Sequence, residues 1–205
     1  SADGRLLFVA SRSSDSINVF ALSGTSLEQP LQVTHRATLR DPLVRGLDQA
    51  LHLIALPGPG DVEHLYVAGA NDHAVAALAY DRVSFTLSHV GSQVNGQDGV
   101  LGLADVEYLL ASPDGAHVYA LSGSGGSVAQ FTRNAASGAL TYVRRFTGGE
   151  LGVAMDGASS AVFDAEGKYL YLTASAANRA VTLERKTDSG AGDFGSLSLS
   201  SSIAQ

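Results

Sequence analysis

Short apolar runs separated by small polar turns organise this chain. Four of these runs centre on an aromatic residue: Phe8, Tyr66, Tyr119 and Tyr171. An acidic residue precedes each aromatic by five positions, at Asp3, Asp61, Asp114 and Glu166. The aromatics are spaced by 58, 53 and 52 residues, a near-constant register. A polar turn follows each run: Ser13-Ser14-Asp15-Ser16, Ala70-Asn71-Asp72-His73, Ser124-Gly125-Gly126-Ser127 and Ala176-Ala177-Asn178-Arg179. Next come apolar segments over 17–22, 74–80, 128–133 and 180–185, and then further ones over 31–37, 83–90, 140–146 and 196–202. Three more runs, 50–56, 106–111 and 158–163, precede the later aromatic runs. Run length and alternation, as at Leu140 and Tyr142 or Val128 and Gln130, predict strands. No segment carries a capped amphipathic helical period.

The repeat is thus four strands in about 52 residues, the period of a β-propeller blade. The chain is expected to be all-β, with antiparallel blades at about 1–48, 49–104, 105–156 and 157–205. The 23 glycines fall largely at turn positions, where positive φ is cheapest for glycine. One stretch is informative about kinship. Ser112-Pro113-Asp114-Gly115 leads into Val118-Tyr119-Ala120, then Gln130-Phe131, then Gly138-Ala139-Leu140-Thr141. This resembles the lactonase-like bacterial propeller repeat of the 6-phosphogluconolactonase family, and repeat arrays of bacterial surface proteins. The Trp-Asp mark of another propeller group is absent, and the chain has no Trp.

Counting gives fifteen strands, because the first blade lacks an innermost one. The resemblance implies a seven-bladed ring, which at this period needs roughly 360 residues. The expectation is therefore about four blades of a larger ring, the alternative being a small four-bladed ring that closes imperfectly; an open arc leaves an apolar blade face to a partner. That partner is another protein or the remaining blades of the same chain.

Composition narrows the function. The net charge is −7, with 13 Lys+Arg against 20 Asp+Glu, and no basic run marks a nucleic-acid surface. No apolar run reaches the length of a membrane span. The absence of cysteine removes thiol catalysis, thiolate metal sites and disulfides.

Three connectors carry acidic residues toward a channel mouth. They run from Asp41 to Asp48, from Asp98 to Asp105 and from Glu150 to Asp156. Asp48 and Asp156 are equivalent, and Asp105 is displaced by one residue. These carboxylates either cap turns or, as a ring, hold a hard cation such as Ca²⁺. His64 and His117 share a repeat position and read as repeat drift, while His52 on an innermost strand can face the channel. Tyr66, Tyr119 and Tyr171 read as sheet packing. Arg133, Arg144 and Arg145 read as a solvated face, and the glycine-rich 122–127 joins two strands rather than opening a phosphate-binding helix. No nucleophile elbow is present. The reading is a non-catalytic scaffold for protein or glycan contact on an exported or surface protein, extracellular or periplasmic. The resemblance alone implies the alternative, a sugar-lactone hydrolase. Ca²⁺ at Asp48, Asp105 and Asp156 gives a third, metal-stabilised structural module.

Overall fold

A computed structural model describes residues 1–24, 31–40 and 42–204; Asp41 and Gln205 lie outside the described residues. Among the described residues, fifteen strands form four antiparallel sheets. Blade 1 has three: β1 (Leu6–Ser11), β2 (Ser16–Ser23) and β3 (Gln32–Leu39). Blade 2 holds β4 (Ala50–Pro57), β5 (Val62–Gly69), β6 (Ala74–Asp81) and β7 (Thr86–Val94). Blade 3 holds β8 (Val106–Ala111), β9 (His117–Ser122), β10 (Ser127–Arg133) and β11 (Leu140–Thr147). A four-residue helical turn, α1 (Gly148–Leu151), then leads to blade 4: β12 (Ala158–Phe163), β13 (Tyr169–Ala174), β14 (Arg179–Arg185) and β15 (Leu197–Ala204). Within each full blade the order runs innermost, aromatic, middle and outer strand.

The helical turn departs from the helix-free expectation, and its cause is local. Thr147 Oγ1 accepts from Glu150 N at 3.2 Å, and Glu150 Oε2 accepts from Thr147 N at 3.0 Å. This reciprocal cap satisfies end donors that a single turn cannot pair itself. Glu150, one of the connector acids, is thereby a capping residue.

The repeat extends to irregularities. A register shift falls between the fourth and fifth residues of all four middle strands: Val19/Phe20, Ala77/Leu78, Gln130/Phe131 and Thr182/Leu183. Such bulges increase local twist. Apolar side chains alternate across each blade and fill the spaces between blades. Ile17, Leu65, Val67 and Leu78 pack with Phe8 and Ala10 between blades 1 and 2. Tyr66, Val118 and Phe131 pack between blades 2 and 3. Tyr119, Leu121, Leu170 and Leu172 pack between blades 3 and 4.

An arginine latches two of these junctions, which corrects the solvated reading of Arg133. Arg133, at the end of β10, donates through Nε to Tyr66 Oη at 3.0 Å, and through Nη2 to Pro57 O at 2.6 Å and His64 Nδ1 at 2.9 Å. Arg185, at the end of β14, repeats this one blade on. Its Nε donates to Tyr119 Oη at 3.1 Å, and its Nη2 to Asp114 Oδ2 at 2.7 Å and His117 Nδ1 at 3.1 Å. Each tyrosine hydroxyl in turn donates to a glycine carbonyl of the next blade, Gly138 O at 2.9 Å and Gly195 O at 2.6 Å. His64 and His117 are therefore latch partners. Arg144 and Arg145 are exposed, as expected.

The first junction uses apolar counterparts. Phe8 replaces the tyrosine and Leu6 the histidine, and Tyr80 takes the arginine position, packing edge-on to Phe8 with centroids 6.2 Å apart. Arg82, two residues on, pairs with Asp3 at 2.7 Å and with Glu63.

Burial places Tyr119 in a low-dielectric site and pushes its hydroxyl up to about 12. Burial, then the neighbouring guanidinium, lowers the pKa of His64 and of His117; at His117 the Asp114 carboxylate opposes this in part. Both imidazoles stay neutral and accept at Nδ1. In the unfolded chain a histidine titrates near about 6.5. The unfolded state thus binds more protons below that pH, so this stability is complete above about pH 6.5 and is lost as pH falls toward the folded pKa. The expected result is a lower melting temperature at pH 5.5 than at pH 7.5. In the double variant His64→Asn, His117→Asn the amide oxygen still accepts from arginine but does not titrate, so the fall should shrink. An equal fall in both proteins, followed by circular dichroism, would show that the latch histidines are not its source.

Candidate functional site

The connectors and the turns entering the middle strands share one rim, opposite the arginine latches. The three connectors end in one turn geometry. Ala50, Val106 and Ala158 donate their N–H to Leu47 O, Leu103 O and Met155 O at 3.1, 3.2 and 3.1 Å. The third residue of each turn, Gln49, Asp105 and Gly157, has φ of 54°, 49° and 75°. Asp48 and Asp156 therefore hold the same turn position and Asp105 the next.

Each turn meets the residue entering the middle strand of the preceding blade. Those residues, Asp15, His73 and Gly126, have φ of 50°, 50° and 49°, and Asn178, which enters the middle strand of blade 4, has φ of 49°. Asp15 Oδ1 accepts from Gln49 N at 3.2 Å, and His73 Nδ1 accepts from Asp105 N at 2.9 Å. At the third junction the residue is Gly126, where an added Cβ would lie 3.1 Å from Asp156 Oδ1.

The three aspartates highlighted by the sequence lie one at each of three successive junctions. Asp48 Oδ1 accepts from Asn71 Nδ2 at 3.0 Å. Asp105 Oδ2 accepts from Ser124 Oγ at 2.7 Å, and its Oδ1 lies 3.5 Å from His73 Nδ1. The backbone carbonyl of Asp156 accepts from Ala177 N at 3.1 Å. Among the described residues, no group of three or more His, Cys, Asp or Glu side chains is arranged around one metal position.

The junction of blades 1 and 2 differs from the others. A cleft of about 500 Å³ opens there, lined by Asp15, Arg40, Arg45, Asp48 and Asp72. Asp72, which sequence reasoning missed, organises it. Its Oδ2 accepts from Gly46 N at 2.6 Å and from Asp48 N at 3.1 Å, and its Oδ1 faces Arg45 Nε at 3.1 Å. The sequence does hold a signal for it. Ser14, Gly125 and Ala177 fill the equivalent place in the other blades, so the charge at Asp72 is unique to one repeat. Arg40 is exposed and makes no hydrogen bond or ion pair with the described residues. At the blade 3–4 junction a cleft of about 450 Å³ is walled chiefly by glycine and backbone, at Gly125, Gly126, Gly148, Gly149 and Gly152.

His52 lies between innermost strands. Its Nδ1 accepts from Leu109 N at 3.3 Å, and its ring centroid sits 4.1 Å from that of Tyr108. Burial lowers its pKa. A trough of about 410 Å³ beside it is apolar, with Ile54, Leu110, Val162 and Phe163 on its walls.

Solved structures share this arrangement. One is a Bacteroides fragilis protein assigned as a 6-phosphogluconolactonase, with a TM-score of 0.75 and 19% identity, covering 100% of this chain and 53% of that one. The chain folds as blades of a β-propeller. The periplasmic gluconolactonase of Pseudomonas aeruginosa matches with a TM-score of 0.69 and 21% identity, over 100% of this chain and 55% of that one. Sqt1 of Chaetomium thermophilum, solved with the N-terminus of a ribosomal protein bound, matches with a TM-score of 0.64 and 15% identity, over 98% and 48%. At these identities the likeness is one of fold. The chain spans about half the length of these propellers. No protein-family model and no curated protein matches it.

Proposed function

We propose that this propeller is a non-catalytic binding module whose connector rim takes a protein segment or glycan at the blade 1–blade 2 cleft. One observation carries the reading. The side chains of Asp15, Asp48 and Asp72 each accept from backbone N–H groups or from Asn71, so they brace the junction, while Arg40 at its edge is exposed and makes no hydrogen bond or ion pair with the described residues. An exposed guanidinium beside a braced cleft favours a carboxylate-bearing ligand. The Sqt1 complex, in which a propeller holds a protein N-terminus, supports a peptide-binding role. The periplasmic gluconolactonase supports an exported location.

The lactonase-assigned neighbours favour a second reading, a sugar-lactone hydrolase. The two readings part in one set of assays. Arrays of acidic peptides and acidic glycans are expected to retain the chain and to lose it when Arg40→Ala is introduced. Gluconolactone and 6-phosphogluconolactone are expected to hydrolyse at the buffer rate, and calcium or chelator to leave the melting curve unchanged. Hydrolysis above background that falls in Arg40→Ala or Asp48→Asn would transfer the reading to the hydrolase. A calcium-dependent melting shift lost in Asp48→Asn would transfer it to a metal-stabilised module.

A further inference from the structure

The outer face of blade 4 repeats, without an occupant, the surface that receives Arg133 and Arg185. Tyr171 holds the place of Tyr66 and Tyr119 but is 45% exposed, whereas those two are fully buried, which corrects its reading as a packed residue. Its hydroxyl has no partner among the described residues. Val162 beside it is 62% exposed, and a shallow trough of about 190 Å³ runs past Ala161, Tyr171, Thr173 and Val181. Glu166 holds the place of Asp114, the carboxylate that pairs with Arg185. The turn around Glu166 is closed by Asp164 instead, whose Oδ1 accepts from Lys168 N at 2.7 Å and Tyr169 N at 2.9 Å. Glu166 is thereby exposed and uncommitted among the described residues.

The chain's own junctions give a rule for what fits such a face. Where the aromatic strand presents a tyrosine hydroxyl, as at Tyr66 and Tyr119, the next middle strand ends in arginine. Where it presents Phe8, the next middle strand places Tyr80 there. Tyr171 with Glu166 belongs to the first kind.

We propose that the outer face of blade 4 is a docking surface for a further blade of this same repeat, one whose middle strand ends in arginine. That guanidinium donates to Tyr171 Oη and pairs with Glu166, while the tyrosine hydroxyl donates to a carbonyl in the incoming blade's outer turn. Blade 1 of a second copy does not fit the rule, because Leu22 occupies its arginine position.

The test extends the chain after Gln205 with a second copy of residues 148–204, which brings its own copy of Arg185 to the face. The expected result is a melting temperature raised by about 5 °C and nitration of Tyr171 by tetranitromethane slowed about ten-fold. Both effects should be lost when the added arginine is changed to leucine. Tyr171→Phe should be neutral in the parent chain and destabilising in the extended one. An extended chain in which Tyr171 nitrates as fast as in the parent would overturn the proposal. So would an added leucine that behaves like the arginine. A parent chain that sediments as a dimer with Tyr171 already protected would give the face to a second copy and overturn it as well.

Discussion

Arg185→Leu is expected to lower the melting temperature more than any other single latch substitution. The Arg185 side chain is 1% exposed and serves four acceptors from two blades: Tyr119 Oη, His117 Nδ1, Gly167 O and Asp114 Oδ2. Leucine removes the charge but leaves buried acceptors without donors, each costing about 1–3 kcal/mol. The Asp114 carboxylate is 40% exposed, so water takes over much of its share and the ion pair itself adds little. The loss should be about 3 kcal/mol, equivalent to roughly 6–12 °C for a chain of this size. Arg185→Lys should recover only part of it, because an ammonium lacks the planar fork that reaches several acceptors at once. Arg133→Leu, at a more open junction, should cost less. Equal melting of Arg185→Leu and the parent would mean that apolar packing alone holds blades 3 and 4 together.

Gly69→Ala should cost a comparable amount for a purely steric reason. Gly69 ends β5, and an added Cβ would stand 2.5 Å from Gly46 C and 2.6 Å from Gly46 Cα and O. Gly46 cannot retreat. Its N–H is held by Asp72 at 2.6 Å, and a Cβ on its own Cα would stand 2.6 Å from Ala76 N. Backbone therefore meets backbone across the connector and blade 2, and one methyl must force them apart. Overpacking of this kind costs about 1–3 kcal/mol, and the fixed surroundings place it at the upper end. Gly91→Ala in β7 is the control, since an added Cβ meets nothing within 4 Å there. Thermal melts of the two variants should differ by several degrees; coincident curves would refute the close-approach account.

The innermost strands were the most legible part of the fold. Val106–Ala111 and Ala158–Phe163 match the expected runs residue for residue, because continuous apolar stretches end there in polar turns. The outer strands were less so. The run expected at 83–90 is β7 at Thr86–Val94, and that expected at 31–37 is β3 at Gln32–Leu39. An outer strand pairs on one side only, and much of it faces water, so its pattern carries little hydrophobic contrast. Aligning the repeats was enough to place Asp48, Asp105 and Asp156 at successive junctions. It did not reveal that Arg133 and Arg185 bond to a tyrosine 66 or 67 positions earlier. That contact depends on how one blade rests on the last, which a strand pattern does not encode. The sharing of an arginine by two equivalent strand ends was the available clue.

The rim of arginine latches and the rim of connectors lie at opposite ends of every strand. The arginines that latch blades 2 to 3 and 3 to 4 are thus separated by a strand's length from Arg40 and Pro42 at the edge of the cleft. Substitutions around Arg40 and Pro42 can accumulate with little toll on the junctions between blades. Such a division lets that edge vary while the way the blades are held together is kept. It also allows the cleft edge at Arg40 and Pro42 to be redesigned, with Gly46, Asp72 and the latch rim kept as an unaltered chassis.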